Sequence, residues 1–148
     1  MQFLLNKGVV VGTQVFSETE LMLMHSGKKV PEAVFRSGLR EGLCTVEVKR
    51  LVGLSHLDGT YRGDGFVWRR TIESAIDKAH ADVVMSHGIS DHHVVLCVPA
   101  GRFIGERTRR HSLRAATRYL TSGRSNCAAR RVHIHIVEAP KCLFSDNV

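Results

Sequence analysis

The sequence predicts an α+β fold, with a split mixed β-sheet and about three helices. Three observations lead there. The chain has 148 residues, 43% hydrophobic and 24% charged, a length and balance that suit one globular domain, residues 1–148, around a single core. Short β-branched runs are dispersed among three stretches of helical spacing, without the regular βαβα alternation of a doubly wound parallel sheet. No internal repeat or low-complexity tract is visible, and the three prolines are scattered, which argues against collagen-like, coiled-coil and disordered chains.

Each element has its own local reason. Residues 9–16 (VVVGTQVF) read as a strand broken by Gly12. Leu21–Met24 is a short apolar run whose ending, His25-Ser26-Gly27, suits a strand running into a turn. Pro31 suits the first position of a helix, Glu32 its positive end, and Gly38 its stop. Thr45–Val48 alternates as a strand does, and Gly59–Gly65 is turn-rich before the aromatic run Phe66-Val67-Trp68. Thr71 can cap a helix over 71–81. Asp91-His92-His93 reads as a solvated loop leading into the strand His92–Val98, which Pro99-Ala100-Gly101 ends. Glu106–Leu120 is a basic helix with Gly123 beyond it, and Val132–Val137 is a last strand before Pro140.

Charge is distributed unevenly. The formal net charge is +7, yet residues 1–100 carry 11 basic and 11 acidic side chains, and residues 101–148 carry 10 and 3. Such a basic third suits a polyanion, and otherwise serves as a solvated face. Arg107, Arg110, Arg114 and Arg118 follow spacings of 3, 4 and 4, which place them on one helical face where guanidiniums can track phosphates. Arg124, Arg130 and Arg131 extend the set, and Tyr119 offers a ring that can stack a base. The other face, Leu113, Ala116, Thr117 and Leu120, is expected to pack on the sheet. RNA or DNA is therefore one expected partner, in a nucleic-acid-binding domain without enzymatic activity.

Other chemistry is less well signalled. GxxxxGK[ST], GxGxxG and GxSxG are all absent. Cys44, Cys97, Cys127 and Cys142 lack the paired spacing of a zinc site. His133 and His135 alternate on one side of a strand and can share a metal, with His25, Glu138 or Asp91 as a third ligand. That spacing is equally that of an ordinary half-buried strand, so no metal is assigned. The N-terminal apolar run is three residues long before Asn6 and Lys7, unlike a signal peptide, and no stretch approaches a membrane span. A cytoplasmic protein with reduced thiols is the expectation.

Three segments, taken in order, resemble the ADP-ribosyltransferase fold of NAD-dependent toxins and poly-ADP-ribose polymerases. Leu21–Gly27 (LMLMHSG) followed by Glu32–Gly42 resembles that family's opening strand, helix and Gly-Leu turn. Gly65–Trp68 followed by Ser74-Ala75 and Lys78-Ala79 resembles its glycine-apolar-tyrosine-aromatic strand leading into a helix, with Val67 where the tyrosine is usual. His93–Gly101 and Val132–Leu143 resemble its later strands, the last with a proline-containing hook.

The resemblance implies NAD as substrate and transfer of ADP-ribose to an anionic or nucleic-acid target. It implies that His25 orients the ribose, that the Ser26-Gly27 backbone holds the carboxamide, and that Phe66 or Trp68 covers the nicotinamide. Arg36 or Arg40 would then lie near the pyrophosphate. The family's late QxE or ExE pair is missing, and Glu138 is the late acidic residue left to serve as catalytic carboxylate. RNA 2′-phosphotransferases share that fold and use NAD with Arg and His. Ser122–Cys127 is similar to their Gly-Met-Arg segment.

Overall fold

Val34 and Phe35 decide the second strand of the fold. Pro31-Glu32 reads locally as a helix start, but Ala33–Ser37 is a strand, β2, paired on both sides. Antiparallel β1 (Val10–Phe16) pairs Val10 with Ser37 and Val11 with Arg36, and the register shifts between Val11 and Phe16. On the other side β3 (Leu43–Arg50) pairs Ala33 with Val46, Val34 with Thr45 and Phe35 with Cys44. Two ladders and the burial of Ala33, Val34 and Phe35 outweigh the local helix-start signal.

A computed structural model describes residues 2–16, 31–50, 65–79, 88–89, 91–99 and 104–139. The side chains of Gln14, Phe16, Ala139 and residues 65–68, 98–99 and 104–108 lie outside that description. The remaining elements are α1 (Gln2–Asn6), α2 (Gly65–Asp77), β4 (Asp91–Pro99), α3 (Ile104–Thr121) and β5 (Arg131–Ala139). The architecture is thus a small α+β fold with a five-stranded mixed sheet, its strands in chain order β1-β2-β3-β4-β5. A division into two half-sheets is not seen among the described strands. None of the described helices is long and apolar enough to cross a membrane.

The chain divides into two compact units. One comprises Met1–Glu47, Ile76–Val94 and Asn126–His133, and the other Val48–Ala75, Val95–Ser125 and Ile134–Val148. In the first, Leu4, Val10, Val34, Val46 and Ile76 are fully buried, each worth about 1.5–3 kcal/mol of transfer free energy. Val34, Ala79 and Ile89 form a cluster against which Leu43, Cys127, Ala128 and Ala129 pack. The segment before β5 is tied to the end of α2 by Asn126 N donating to Asp77 Oδ1 at 2.9 Å and Ala128 N to the Ala79 carbonyl at 3.0 Å. Glu47, almost wholly buried, accepts from Glu32 N at 3.0 Å and faces Lys78 Nζ at 3.8 Å.

Two further readings need correction. Phe66-Val67-Trp68 is not a strand. It forms the first turn of α2, which begins at Gly65, ahead of the expected Thr71 cap, and ends at Asp77. Ile72, Ala75, Ile76 and Ala79 give that helix a buried stripe at helical spacing, and helix propagation extends it back through the aromatic run. The inward face of α3 also differs from expectation. Ser112, Ala116 and Tyr119 are buried, at spacings of 4 and 3, whereas Leu113, Thr117 and Leu120 are exposed. Gly123 follows α3 with φ +74°, the left-handed conformation that ends helices.

The turn joining β2 to β3 is built on a serine and a close approach. Ser37 Oγ accepts from Leu39 N at 3.2 Å and Arg40 N at 3.4 Å, and Ser37 N donates to the Gly42 carbonyl. Gly38 N donates to the Val9 carbonyl at 2.8 Å. A Cβ at residue 38 would collide with the Gly8 carbonyl, a backbone group with little room to move. Gly38→Ala is expected to destabilise the protein by about 1–3 kcal/mol, read as a lowered urea midpoint. An unchanged midpoint would show that this turn is not held against Gly8.

Candidate functional site

The period-2 geometry of strands assembles a charged centre from β4 and β5. Asp91 and His93 stand two apart on β4, and Arg131 and His133 two apart on the neighbouring β5, so each pair shares a face of the sheet. His133 Nε2 lies 2.7 Å from Asp91 Oδ1. Arg40 Nε lies 3.1 Å from Asp91 Oδ2, brought there by the Ser37 turn, and Arg131 Nη1 lies 3.9 Å from the same oxygen. The Asp91 side chain is fully buried, whereas those of His133, Arg40 and Arg131 are 28%, 38% and 43% exposed. The centre therefore has a sealed anionic floor and a cationic rim open to solvent.

Each partner constrains the next. The His93 ring stacks on His133 with centroids 4.5 Å apart and planes 18° from parallel, which holds the imidazole plane. His92 points elsewhere, with Nδ1 2.7 Å from the buried Thr45 hydroxyl. In the neutral ring that gives its Nε2–H to the carboxylate, the lone pair lies on Nδ1. That nitrogen makes no hydrogen bond among the described residues. Two guanidiniums supply about ten N–H donors against about four acceptor positions on one carboxylate. Donors are left over for a second anion, and two cations around one anion leave the centre net positive.

Cys44 lies close by but is no nucleophile. Burial, and then the charge of Asp91, push its thiol up to about 12. Thiolate chemistry at neutral pH is closed to it.

Asp91, His92 and His93, read from sequence as a solvated loop, are instead fully buried as the first residues of β4. Their burial follows from pairing with strands distant in the chain. Of the residues that the family resemblance assigns, His25, Ser26 and Gly27 lie outside the described residues, as do the side chains of Phe66 and Trp68. Because Phe66-Trp68 is helical and Ala33–Ser37 extended, two segments that carry the resemblance have other secondary structure than it implies. Arg36 is exposed on β2, and Glu138 is exposed near the end of β5. Among the described residues, no group of three or more His, Cys, Asp or Glu could hold a metal ion, and His133 is engaged with Asp91.

In the second unit the described arginines lie at the surface. Arg110, Arg114 and Arg118 are all exposed on α3, and the side chain of Arg107 lies outside the described residues. Tyr119 is not the stacking ring expected of it. It is buried, its hydroxyl 3.5 Å from the Arg124 carbonyl, with the Arg124 guanidinium 5.8 Å over its ring. Arg124 also lines an open hollow of about 270 Å³ with Arg69, Arg70 and Glu73. The two α2 arginines carry no sequence signal beyond their adjacency. In the first unit Arg130, like Arg131, is exposed.

Comparison with protein-family models, with curated proteins and with solved structures finds no match for the chain.

The raised thiol makes a prediction about alkaline stability. The folded-state value of Cys44 exceeds its ordinary 9.0, so the folded state holds a proton that the unfolded chain gives up. Its contribution is complete below pH about 9 and is lost as pH rises toward 12. Unfolding free energies from urea titrations at pH 8 and 10.5 should fall less in Cys44→Ala than in the parent, by up to about 1.4 kcal/mol per pH unit. Equal falls in both proteins would contradict it.

Proposed function

We propose that this protein binds nucleic acid through backbone phosphates. The observation that carries the reading is the exposure of Arg110, Arg114 and Arg118 along one face of an 18-residue helix whose opposite face, Ser112, Ala116 and Tyr119, is buried. A packed face holds the helix in place, so the arginines present forks at fixed intervals. Guanidinium forks match phosphate oxygens and carry no base preference of their own. Arg124 with Arg69 and Arg70 adds a second cluster in the same unit.

Binding of a labelled single-stranded oligonucleotide, followed by anisotropy across a salt series, tests this. Affinity should fall steeply with salt, and replacing Arg110, Arg114 and Arg118 together with Gln should reduce the log–log slope by about 2. Absence of binding at low salt, or a slope unaltered by the triple substitution, would sink the reading.

A nucleotide pyrophosphate is the smaller ligand with the same chemistry, and the position of Arg40 at the rim of the Asp91 centre favours it. NAD is the form that the sequence resemblance implies, with ADP-ribosyl transfer or RNA 2′-phosphate transfer as the attendant reactions. NAD should raise the melting temperature of the parent protein and not that of Arg40→Gln. No shift in the parent removes this second reading.

A further inference from the structure

We infer that the Asp91 centre is a catalytic site that cleaves RNA by general-base catalysis, with His133 as the base. The inference rests on the nucleic-acid reading above and supplies its chemistry. The geometry is that of an imidazole set by a buried carboxylate: Asp91 at 2.7 Å from Nε2 fixes ring and tautomer, and His93 stacked at 4.5 Å fixes the plane. The lone pair of Nδ1 is thereby directed away from Asp91, on a side chain 28% exposed. A histidine whose function is only to cover Asp91 has no need of a second constraint on its ring plane.

The substrate class follows from what the centre contains. Arg40 and Arg131, both partly exposed, hold N–H donors in excess of what Asp91 can accept, which suits the non-bridging oxygens of a phosphodiester. Among the described residues, the candidate nucleophiles nearby are spent. Cys44 is fully buried with its thiol held protonated, and the Thr45 hydroxyl is buried against His92. A base and an anion clamp whose described neighbours offer no nucleophile suit a substrate that brings its own, and RNA carries a 2′-hydroxyl beside every internal phosphate.

In the step, His133 Nδ1 takes the proton of the 2′-hydroxyl as the 2′-oxygen forms a bond to phosphorus. The bond from phosphorus to the 5′-oxygen breaks, and that oxygen takes a proton from water. The hydroxide so formed recovers the proton from the imidazolium, which restores the neutral base. The products are a 2′,3′-cyclic phosphate and a 5′-hydroxyl end. Arg40 and Arg131 offset the charge that builds on the phosphoryl oxygens. His133 is the catalytic residue and Asp91 a positioning residue that acts through it.

The full chain is incubated with an end-labelled single-stranded RNA, with the same strand carrying one 2′-deoxy linkage, and with the all-DNA strand. Binding is followed in parallel by anisotropy. RNA should be cut to cyclic-phosphate ends, the deoxy linkage should be skipped, and DNA should be bound intact. His133→Ala and His133→Gln should each lower the single-turnover rate by about 10²-fold or more while leaving RNA affinity within a few fold. Asp91→Asn should lower kcat with KM little changed when the rate is referred to the folded protein present, measured by circular dichroism on the same sample. Binding without cleavage overturns the inference and leaves the nucleic-acid reading intact, whereas absence of binding to any strand overturns both. Cleavage that survives in both His133 variants, or that includes the DNA strand, also overturns it.

Discussion

A carboxylate with no exposed surface cannot stand alone, and the arrangement around Asp91 follows from that. An ion moved out of water costs several kcal/mol unless hydrogen bonds and opposite charge replace the lost hydration. Here the replacement comes from two separate places in the chain: Arg40 in the β2–β3 turn, and Arg131 and His133 on β5. Each of those elements is held by its own local device. Ser37 and Gly38 shape the turn, and the bonds from Asn126 and Ala128 to the end of α2 anchor the segment that leads into β5. The centre therefore reports on the packing of its unit as much as on any chemistry it performs.

The same constraint explains why the centre is asymmetric. Its anionic member is buried and its cationic members are not, so the charge that reaches solvent is positive. A surface salt bridge would contribute little to stability, but a carboxylate pinned beneath two guanidiniums orients them. In the other unit the arginines of α3 project from a helix whose remaining face is packed. In both units the basic groups are organised by what is buried beside them.

Legibility in the sequence varied with the range of the interaction that decides each element. The strands at 10–16, 43–50, 91–99 and 131–139 and the helix at 104–121 stand where alternation and helical spacing place them. The short helix Gln2–Asn6 carries too few residues for a periodic signal. Ala33–Ser37 was misleading because Pro31 and Glu32 are strong local signals, and the partners that make it a strand lie in β1 and β3. Asp91, His92 and His93 suffered likewise: three polar residues in a row read as solvated until their neighbouring strands are known. The alternations of Asp91 with His93 and of Arg131 with His133 were both present in the sequence. Nothing local indicated that the two pairs face each other.

By itself the sequence determined an α+β protein of globular composition with a net charge of +7 confined to its last third and an arginine stripe at helical spacing. Those properties depend on composition and on contacts within one element, which a linear pattern records directly. Tertiary structure alone decided that Arg40 meets Arg131 across 91 positions of sequence, that Tyr119 is buried, and that a carboxylate lies beneath His133. Such choices are made by strand pairing and desolvation, whose partners lie far apart along the chain and come together only when it folds.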